Sequence, residues 1–349
     1  MNIVLLESLG IPEAELKKYA QELEKEGHTF RAYEKNTDPA VQIERAKDAD
    51  VIMLANMPLS GEVIRSCPSL RFIDVAFTGV DHVDLEAAKE KKIAVSNASG
   101  YSNESVAELV LGMAIDLFRK VPQVEKRCRE EGTKDGLVGR ELKGHTVGII
   151  GYGAIGSRAA ELFHAMGCRI LAFSRHRKEN VPDYVTYVTL EELLGQSDIV
   201  SLHCPLTPET RGLINAERIA LMKKTAVLIN AARGPVADSR ALADALNEDR
   251  IAFRLAACRI SQTASIHRLP CGLPGYLILF DTHTFEPQCQ LQLSRLPSQS
   301  EFFVISKHFT ATPRIPPAST ALKTSSINCN FTVEPQTFTT DLNIHLRSL

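Results

Sequence analysis

From Met1 to about Ala252, short apolar runs rich in β-branched residues alternate with stretches whose apolar positions recur at helical spacing. That rhythm predicts an α/β fold built on parallel sheets. Strands are expected at Ile3–Leu6, Thr29–Tyr33, Val51–Leu54 and Phe72–Ala76, with helices over Pro12–Glu26, Asp38–Lys47 and Ser60–Ser66 between them. Pro12 suits an opening helical turn, where its missing N–H costs nothing. A longer helix, about Ser102 to Phe118, carries small and apolar residues on most faces, as expected for one buried between two domains. After a polar stretch, Lys126 to Lys143, the alternation resumes. Strands are expected at Thr146–Ile150, Arg169–Phe173, Ile199–Leu202 and Ala226–Asn230, and helices at Ile155–Met166, Leu190–Leu194, Ala216–Met222 and Ser239–Asn247. Two doubly wound units would leave a cleft at the carboxyl ends of their strands, where a cofactor and a small substrate meet.

Beyond Ala252 the pattern is lost. Residues 253–349 hold 5 Asp+Glu, 8 Lys+Arg, 21 Ser+Thr and 8 of the 17 prolines, so the charge density falls to about half that of the preceding chain. Apart from short apolar runs such as Tyr276–Phe280 and Phe302–Ile305, this tail shows neither period and reads as irregular or disordered. The expected division is a substrate domain over 1–98, a dinucleotide-binding domain over 99–252, and an atypical tail over 253–349.

Charge adds exclusions. Lys+Arg 40 against Asp+Glu 42 advertises neither a nucleic-acid nor a membrane partner. The opening apolar run, Ile3–Leu6, is too short for a secretory signal or a membrane span, so a cytoplasmic protein is expected. The 8 cysteines show no CxxC spacing, which predicts reduced thiols and no metal site.

The most informative chemistry is Gly151-Tyr152-Gly153-Ala154-Ile155-Gly156, which directly follows an expected strand and opens an expected helix. In that context the first glycine permits the tight turn and the second lets the backbone approach a pyrophosphate. The third lets helix and strand pack closely, with the helix N-terminus facing the phosphates. The next strand ends Phe173-Ser174-Arg175-His176-Arg177, where an NAD-preferring site would carry Asp or Glu for the ribose 2′-hydroxyl. Ser174 can bond a 2′-phosphate and Arg175 or Arg177 can pair with its charge, which favours NADP. Solvated loop arginines are the alternative, and NAD stays open.

With the glycine loop, the segment around Val80 and Asn230-Ala231-Ala232-Arg233-Gly234 falling in order, residues 1 to about 252 resemble the D-isomer-specific 2-hydroxyacid dehydrogenases. The resemblance implies a flavodoxin-like substrate domain beside a Rossmann NAD(P)-binding domain. It also implies an oxidoreductase that interconverts a small 2-keto acid and a D-2-hydroxy acid by hydride transfer. It assigns the substrate carboxylate to backbone amides of Thr78 and Gly79, where consecutive amides at a glycine turn form an anion nest. Tyr101 matches a position lining the substrate pocket, or is an ordinary buried tyrosine at a helix start. Arg233 takes the catalytic role, its fork donating to carboxylate and carbonyl together and stabilising the developing alkoxide; a surface ion pair is the alternative. The resemblance gives Gly151, Gly153, Ala154, Ile155 and Gly156 the pyrophosphate. It sets Cys204, Pro205 and Thr210 along the adenosine, and Ala231 and Ala232 toward the nicotinamide ribose. The family usually dimerises through the cofactor domain, and the helix near Ser102–Phe118 is compatible with a homodimer.

The chain departs from the family after Ala252. There the family pattern has Gly-x-Asp-x-x-x-x-Glu-Pro, whose glutamate tunes a catalytic histidine, and later Thr-Pro-His; here Phe253–Cys258 carries neither glycine nor aspartate. Asp281, Glu286-Pro287 and His308 repeat the spacing too late, and Thr312-Pro313 is followed by Arg314. A frameshift or gene-model error near Ala252 would produce this break. The missing acid leaves a second reading, a non-catalytic module that binds NAD(P)H or a protein partner.

Overall fold

The computed structural model describes residues 1–248, 250 and 251 in full, and the backbone of four later strands, 253–256, 277–279, 289–295 and 303–309. The chain divides into two compact units between Tyr101 and Ser102. In the first, strands β1 (Asn2–Leu5), β2 (Thr29–Ala32), β3 (Val51–Leu54), β4 (Phe72–Val75) and β5 (Ala94–Asn97) form one parallel sheet in the order β2-β1-β3-β4-β5. Helices α1 (Glu13–Lys25), α2 (Pro39–Ala46), α3 (Gly61–Ser66) and α4 (Leu85–Glu90) make the crossovers. β3 and β4 are buried at every position, as their unbroken apolar character requires of central parallel strands. Asp74 is the exception within β4; burial alone pushes its carboxyl up to about 8.

The second unit contains α5 (Asn103–Arg119) and α6 (Val121–Arg129), followed by β6 (Thr146–Ile150), α7 (Ala154–Ala165), β7 (Arg169–Phe173) and β8 (Val185–Tyr187). It continues through α8 (Leu190–Gln196), β9 (Ile199–Leu202), α9 (Ala216–Ala220), β10 (Val227–Asn230) and α10 (Ser239–Asn247). With β11 (Phe253–Ala256) and β12 (Leu277–Leu279), the parallel sheet runs β12-β11-β10-β9-β6-β7-β8. This is the doubly wound order that places a switch point between β6 and β9. The sheet therefore continues past Ala252, since Phe253–Ala256 pairs in parallel register with Val227–Asn230. β13 (Cys289–Arg295) and β14 (Phe303–Phe309), which group with the first unit, form an antiparallel pair. β12 and β14 fall on the short apolar runs noted in the tail.

Local chemistry starts several helices where the sequence signals them. Thr189 and Glu192 form a reciprocal capping box on α8, while Ser60, Asp84 and Asp238 cap α3, α4 and α10. α5 buries Ala107, Val110, Met113, Ala114, Leu117 and Phe118 in a core shared with β6, α7 and β10. Besides β11 and β13, four described elements were not evident from the sequence. β5 is half-buried with one strongly apolar residue, β8 has three residues, α4 is six long, and α6 buries none of its side chains.

Candidate functional site

In the second unit the carboxyl ends of β6, β7, β9 and β10 carry the glycine turn, the Ser174 segment, the His203–Thr210 loop and the Arg233 turn. The three motif glycines have separate physical reasons. Gly151 sits at φ +95, and a Cβ there would stand 2.5 Å from the Cys204 backbone nitrogen and 2.7 Å from the His203 carbonyl carbon. Only glycine lets the turn lie against the β9 loop. A Cβ at Gly156 would overlap the Gly151 carbonyl oxygen and press on Ile149, so this glycine brings α7 down onto β6. Around Gly153 nothing lies within 4 Å of the Cβ position. Gly153 is the N-cap of α7 and has no side chain to bond the first-turn amides. A crowded turn, an open approach and an uncapped helix N-terminus together fit the pyrophosphate of a dinucleotide.

Two hydrogen bonds tie neighbouring segments to this turn. The Gly151 N–H donates to Phe173 O at 2.8 Å, so Ser174–Arg177 leaves β7 beside the glycines, and the His203 N–H donates to Ile150 O at 2.7 Å. Ser174 is half-buried, whereas Arg175, His176 and Arg177 are exposed. Arg175 donates to His176 Nε2 at 3.3 Å, Arg177 lies 5.6 Å over the Tyr187 ring, and Lys178 lies 5.2 Å over the ring of Tyr152. Across from them, the Glu209 carboxyl is held below its ordinary range, chiefly by the Thr207 hydroxyl and in a smaller measure by the charge of Arg175.

In the β9 loop, the Thr210 hydroxyl donates to Pro205 O at 2.6 Å and accepts from the Thr207 N–H at 2.8 Å, so it fixes the loop's own shape. Burial pushes the Cys204 thiol up to about 11, which makes it a packed, unreactive side chain. His203 shares a hydrogen bond with Ser201 Oγ at 2.8 Å, and burial pushes its pKa down to about 4. A neutral imidazole of that kind is no substitute for an imidazolium proton donor. Its folded value lies below the ordinary 6.5, so it contributes stability above pH 6.5 that is lost as pH falls toward 4. Urea unfolding at pH 7 and pH 4.5 should show the wild-type protein losing more stability on acidification than His203→Gln.

The turn after β10 is stapled by Asn230, which is fully buried. Its Oδ1 accepts from the Ala232 N–H at 3.1 Å and its Nδ2 donates to Arg233 O at 2.9 Å, an Asx-type closure that fixes the backbone from Ala231 to Arg233. Arg233 is half-buried, and its Nη1 donates to Ala232 O at 3.0 Å. The segment beyond is anchored in turn, since Gly212 N–H donates to Pro235 O at 2.8 Å and Asp238 N–H donates to Ile214 O at 2.9 Å. Asn230 was missed as a site residue, although an asparagine at a strand end two residues before a turn is the usual signal for such a closure. His203 was missed as well, and its i, i+2 relation to Ser201 places both on one face of the chain.

In the first unit, Thr78 and Gly79 follow β4 and are half-buried, as is Tyr101. The Thr78 carbonyl accepts from Asn97 Nδ2 at 2.6 Å. Because the peptide is planar and trans, that bond turns the Gly79 N–H to the opposite side, away from Asn97. Asn97 thus orients the Gly79 amide, and no sequence pattern marks it for that role. Of the late candidates, Asp281, Glu286, Pro287, Thr312, Pro313 and Arg314 lie outside the described residues, and only the backbone of His308 is described, in β14. Among the described residues no group of His, Cys, Asp and Glu is set to hold a metal ion, and no helix is long and apolar enough to cross a membrane.

Known proteins align with this arrangement. The family model for the NAD binding domain of D-isomer specific 2-hydroxyacid dehydrogenases matches residues 111–256, reaching through β11. A hydroxypyruvate reductase of Blautia hydrogenotrophica is 37% identical over 224 residues, covering 62% of this chain and 70% of the relative. A D-lactate dehydrogenase from Aquifex aeolicus, solved with NAD and lactic acid, superposes with a TM-score of 0.66 at 32% identity, over 73% of this chain and 76% of that one. An acyclic imino acid reductase solved with NADPH and D-Arg gives a TM-score of 0.70 at 26% identity, over 79% and 88%.

Proposed function

Because the chain belongs to the D-isomer specific 2-hydroxyacid dehydrogenases and binds NAD(P), we propose that it reduces a small 2-keto acid to the D-2-hydroxy acid and runs the reverse oxidation. The observation that carries this reading is the Asn230-stapled turn that presents Arg233 in the same unit, and at the same sheet end, as the open glycine cradle. When bound, the nicotinamide supplies the hydride. Gly151, Gly153, Ala154, Ile155 and Gly156 hold the pyrophosphate, Cys204, Pro205 and Thr210 shape the adenosine side, and Ala231 and Ala232 meet the nicotinamide ribose. Thr78 and Gly79 take the substrate carboxylate through backbone amides, with Tyr101 against the rest of the molecule. The Arg233 guanidinium donates to the substrate oxygen and holds its growing negative charge.

The proton that must reach the alkoxide has no donor at the position where the family carries a Glu-tuned histidine, and His203 is held neutral. A positioned acid contributes about 10²–10⁴-fold in rate, so turnover is expected to be slow by that order. The same gap supports the second reading, a module that binds NAD(P)H and signals through a partner without turnover. Steady-state oxidation of NADPH with glyoxylate, hydroxypyruvate and pyruvate separates them, since the module shows cofactor binding and no oxidation. The family resemblance also supports a cytoplasmic homodimer paired through the cofactor unit.

Cofactor choice follows from the end of β7. With Ser174 in place of an acid and Arg175 and Arg177 following it, the chain should prefer NADPH. Titrations followed by nicotinamide fluorescence should give NADPH an affinity about tenfold or more above that of NADH, and the double change Ser174→Asp with Arg175→Ala should reverse the order. Equal affinities in the wild-type protein would make the arginines ordinary solvated side chains.

A further inference from the structure

One buried carboxylate lies outside everything assigned so far. Glu7 follows β1, and its side chain is 4% exposed. A single oxygen, Oε1, accepts from three consecutive amides of the loop after β3: Ala55 N–H at 2.8 Å, Asn56 N–H at 2.7 Å and Met57 N–H at 2.6 Å. The other oxygen pairs with Lys35 Nζ at 3.1 Å, and Lys35 also donates to Asn56 Oδ1 at 2.9 Å. Three convergent amides form an anion nest of the kind that elsewhere holds a ligand phosphate or carboxylate. Here the chain supplies the anion itself, at the point where the order β2-β1-β3 reverses the direction of winding.

The clamped loop does not end at Met57. Gln42, almost fully buried, donates from Nε2 to Pro58 O at 3.3 Å and to Asn36 O at 2.9 Å. The next residue, Leu59, forms a parallel bridge with Val83: its N–H donates to His82 O at 2.9 Å and its carbonyl accepts from Asp84 N–H at 3.0 Å. Val83 N–H in turn donates to Val80 O at 3.0 Å, closing the Val80–Val83 turn that directly follows Thr78 and Gly79. At its start the Thr78–Asp84 loop is held by Asn97. Hydrogen bonds at Ala55–Met57 and at Leu59, joined by two residues of backbone, therefore connect Glu7 to the far side of the Thr78–Asp84 loop.

We infer that Glu7 is a positioning residue for the substrate-carboxylate loop. By filling the Ala55–Met57 nest it fixes Leu59, and through the Leu59–Val83 bridge it fixes the backbone that bears Thr78 and Gly79. The link to substrate rests on the role proposed above for those two amides; the link to loop geometry does not. Removing the carboxylate strands three amides, that of Met57 buried and those of Ala55 and Asn56 partly so, and the loop they belong to must then move to find other acceptors.

The test uses the full chain, loaded with NADPH, as wild type, Glu7→Ala, Glu7→Gln and Lys35→Met. The last two keep an acceptor in the nest or leave Glu7 in place, so they report even where Glu7→Ala does not fold. Hydrogen exchange over Thr78–Asp84 should quicken about tenfold in Glu7→Gln and less in Lys35→Met, with Val147–Ile150 unchanged. Oxamate, a non-reducible keto-acid mimic, should bind about tenfold more weakly to Glu7→Gln, with NADPH affinity kept within about twofold. A merely structural glutamate would change exchange in both units or in neither, and unchanged protection over Thr78–Asp84 overturns the inference. Faster exchange there, in a chain whose wild type binds no oxamate, leaves the clamp standing and refutes instead the substrate role of Thr78 and Gly79.

Discussion

Arg233→Ala should reduce NADPH oxidation by 2-keto acids at least about 10²–10³-fold while leaving NADPH affinity within about threefold, because the guanidinium acts on charge that develops only during the reaction. Arg233→Lys should lose nearly as much. A lysine keeps the charge but not the planar fork that reaches carboxylate and carbonyl oxygen together. The turn itself would survive either change, since Asn230 bonds the backbone of Ala232 and Arg233 and not the guanidinium. Stopped-flow or steady-state absorbance at saturating cofactor measures the loss. Equal rates for wild type and Arg233→Ala would remove Arg233 from the chemistry and favour the surface ion-pair role.

Gly153→Val should abolish cofactor binding without harming the fold. Gly153 has φ −85, and a Cβ there would have nothing within 4 Å, so a side chain can start without a clash. Its branches would instead fill the approach to the α7 N-terminus, where a pyrophosphate must lie against backbone N–H groups. Affinity for NADPH should fall by about 10²-fold or more, with Tm within about 2 °C of wild type. Gly156→Ala makes the contrast. Its Cβ would overlap the Gly151 carbonyl, so α7 must shift from β6, and stability should drop by about 1–3 kcal/mol along with binding. If Gly153→Val bound NADPH normally, the open glycine would not be the cofactor's approach.

The sequence carried the frame of both units because buried parallel strands have to be continuous apolar runs. β3, β6, β7 and β9 lie within a residue of their expected limits, and the glycine turn follows β6 as anticipated. Elements whose side chains do little burying left no such trace, as β8 and α6 show. At the proposed site, the residues that would act through their own chemistry, Arg233 and the glycines above all, stand in motifs that the sequence shows. Residues that act by holding backbone do not. Asn230 closes a turn two and three residues on, whereas Asn97 and Glu7 bond main-chain groups brought near by tertiary structure, with Glu7 reaching amides about fifty positions away. No local pattern announces a carboxylate whose partners are that distant in the chain. The departure after Ala252 was also legible, as a fall in charge and a lost motif, although the parallel sheet itself runs on through Phe253–Ala256.

Hydride transfer to a 2-keto acid would proceed here in a chain that lacks the family's proton donor at its usual place. Its most direct test is to incubate the NADPH-loaded protein with hydroxypyruvate and resolve the product by chiral chromatography. D-glycerate should form slowly, one molecule for each NADPH consumed, and at least about 10²-fold more slowly with Arg233→Ala. NADPH held tightly with no glycerate formed, or glycerate of the L configuration, would contradict that reading.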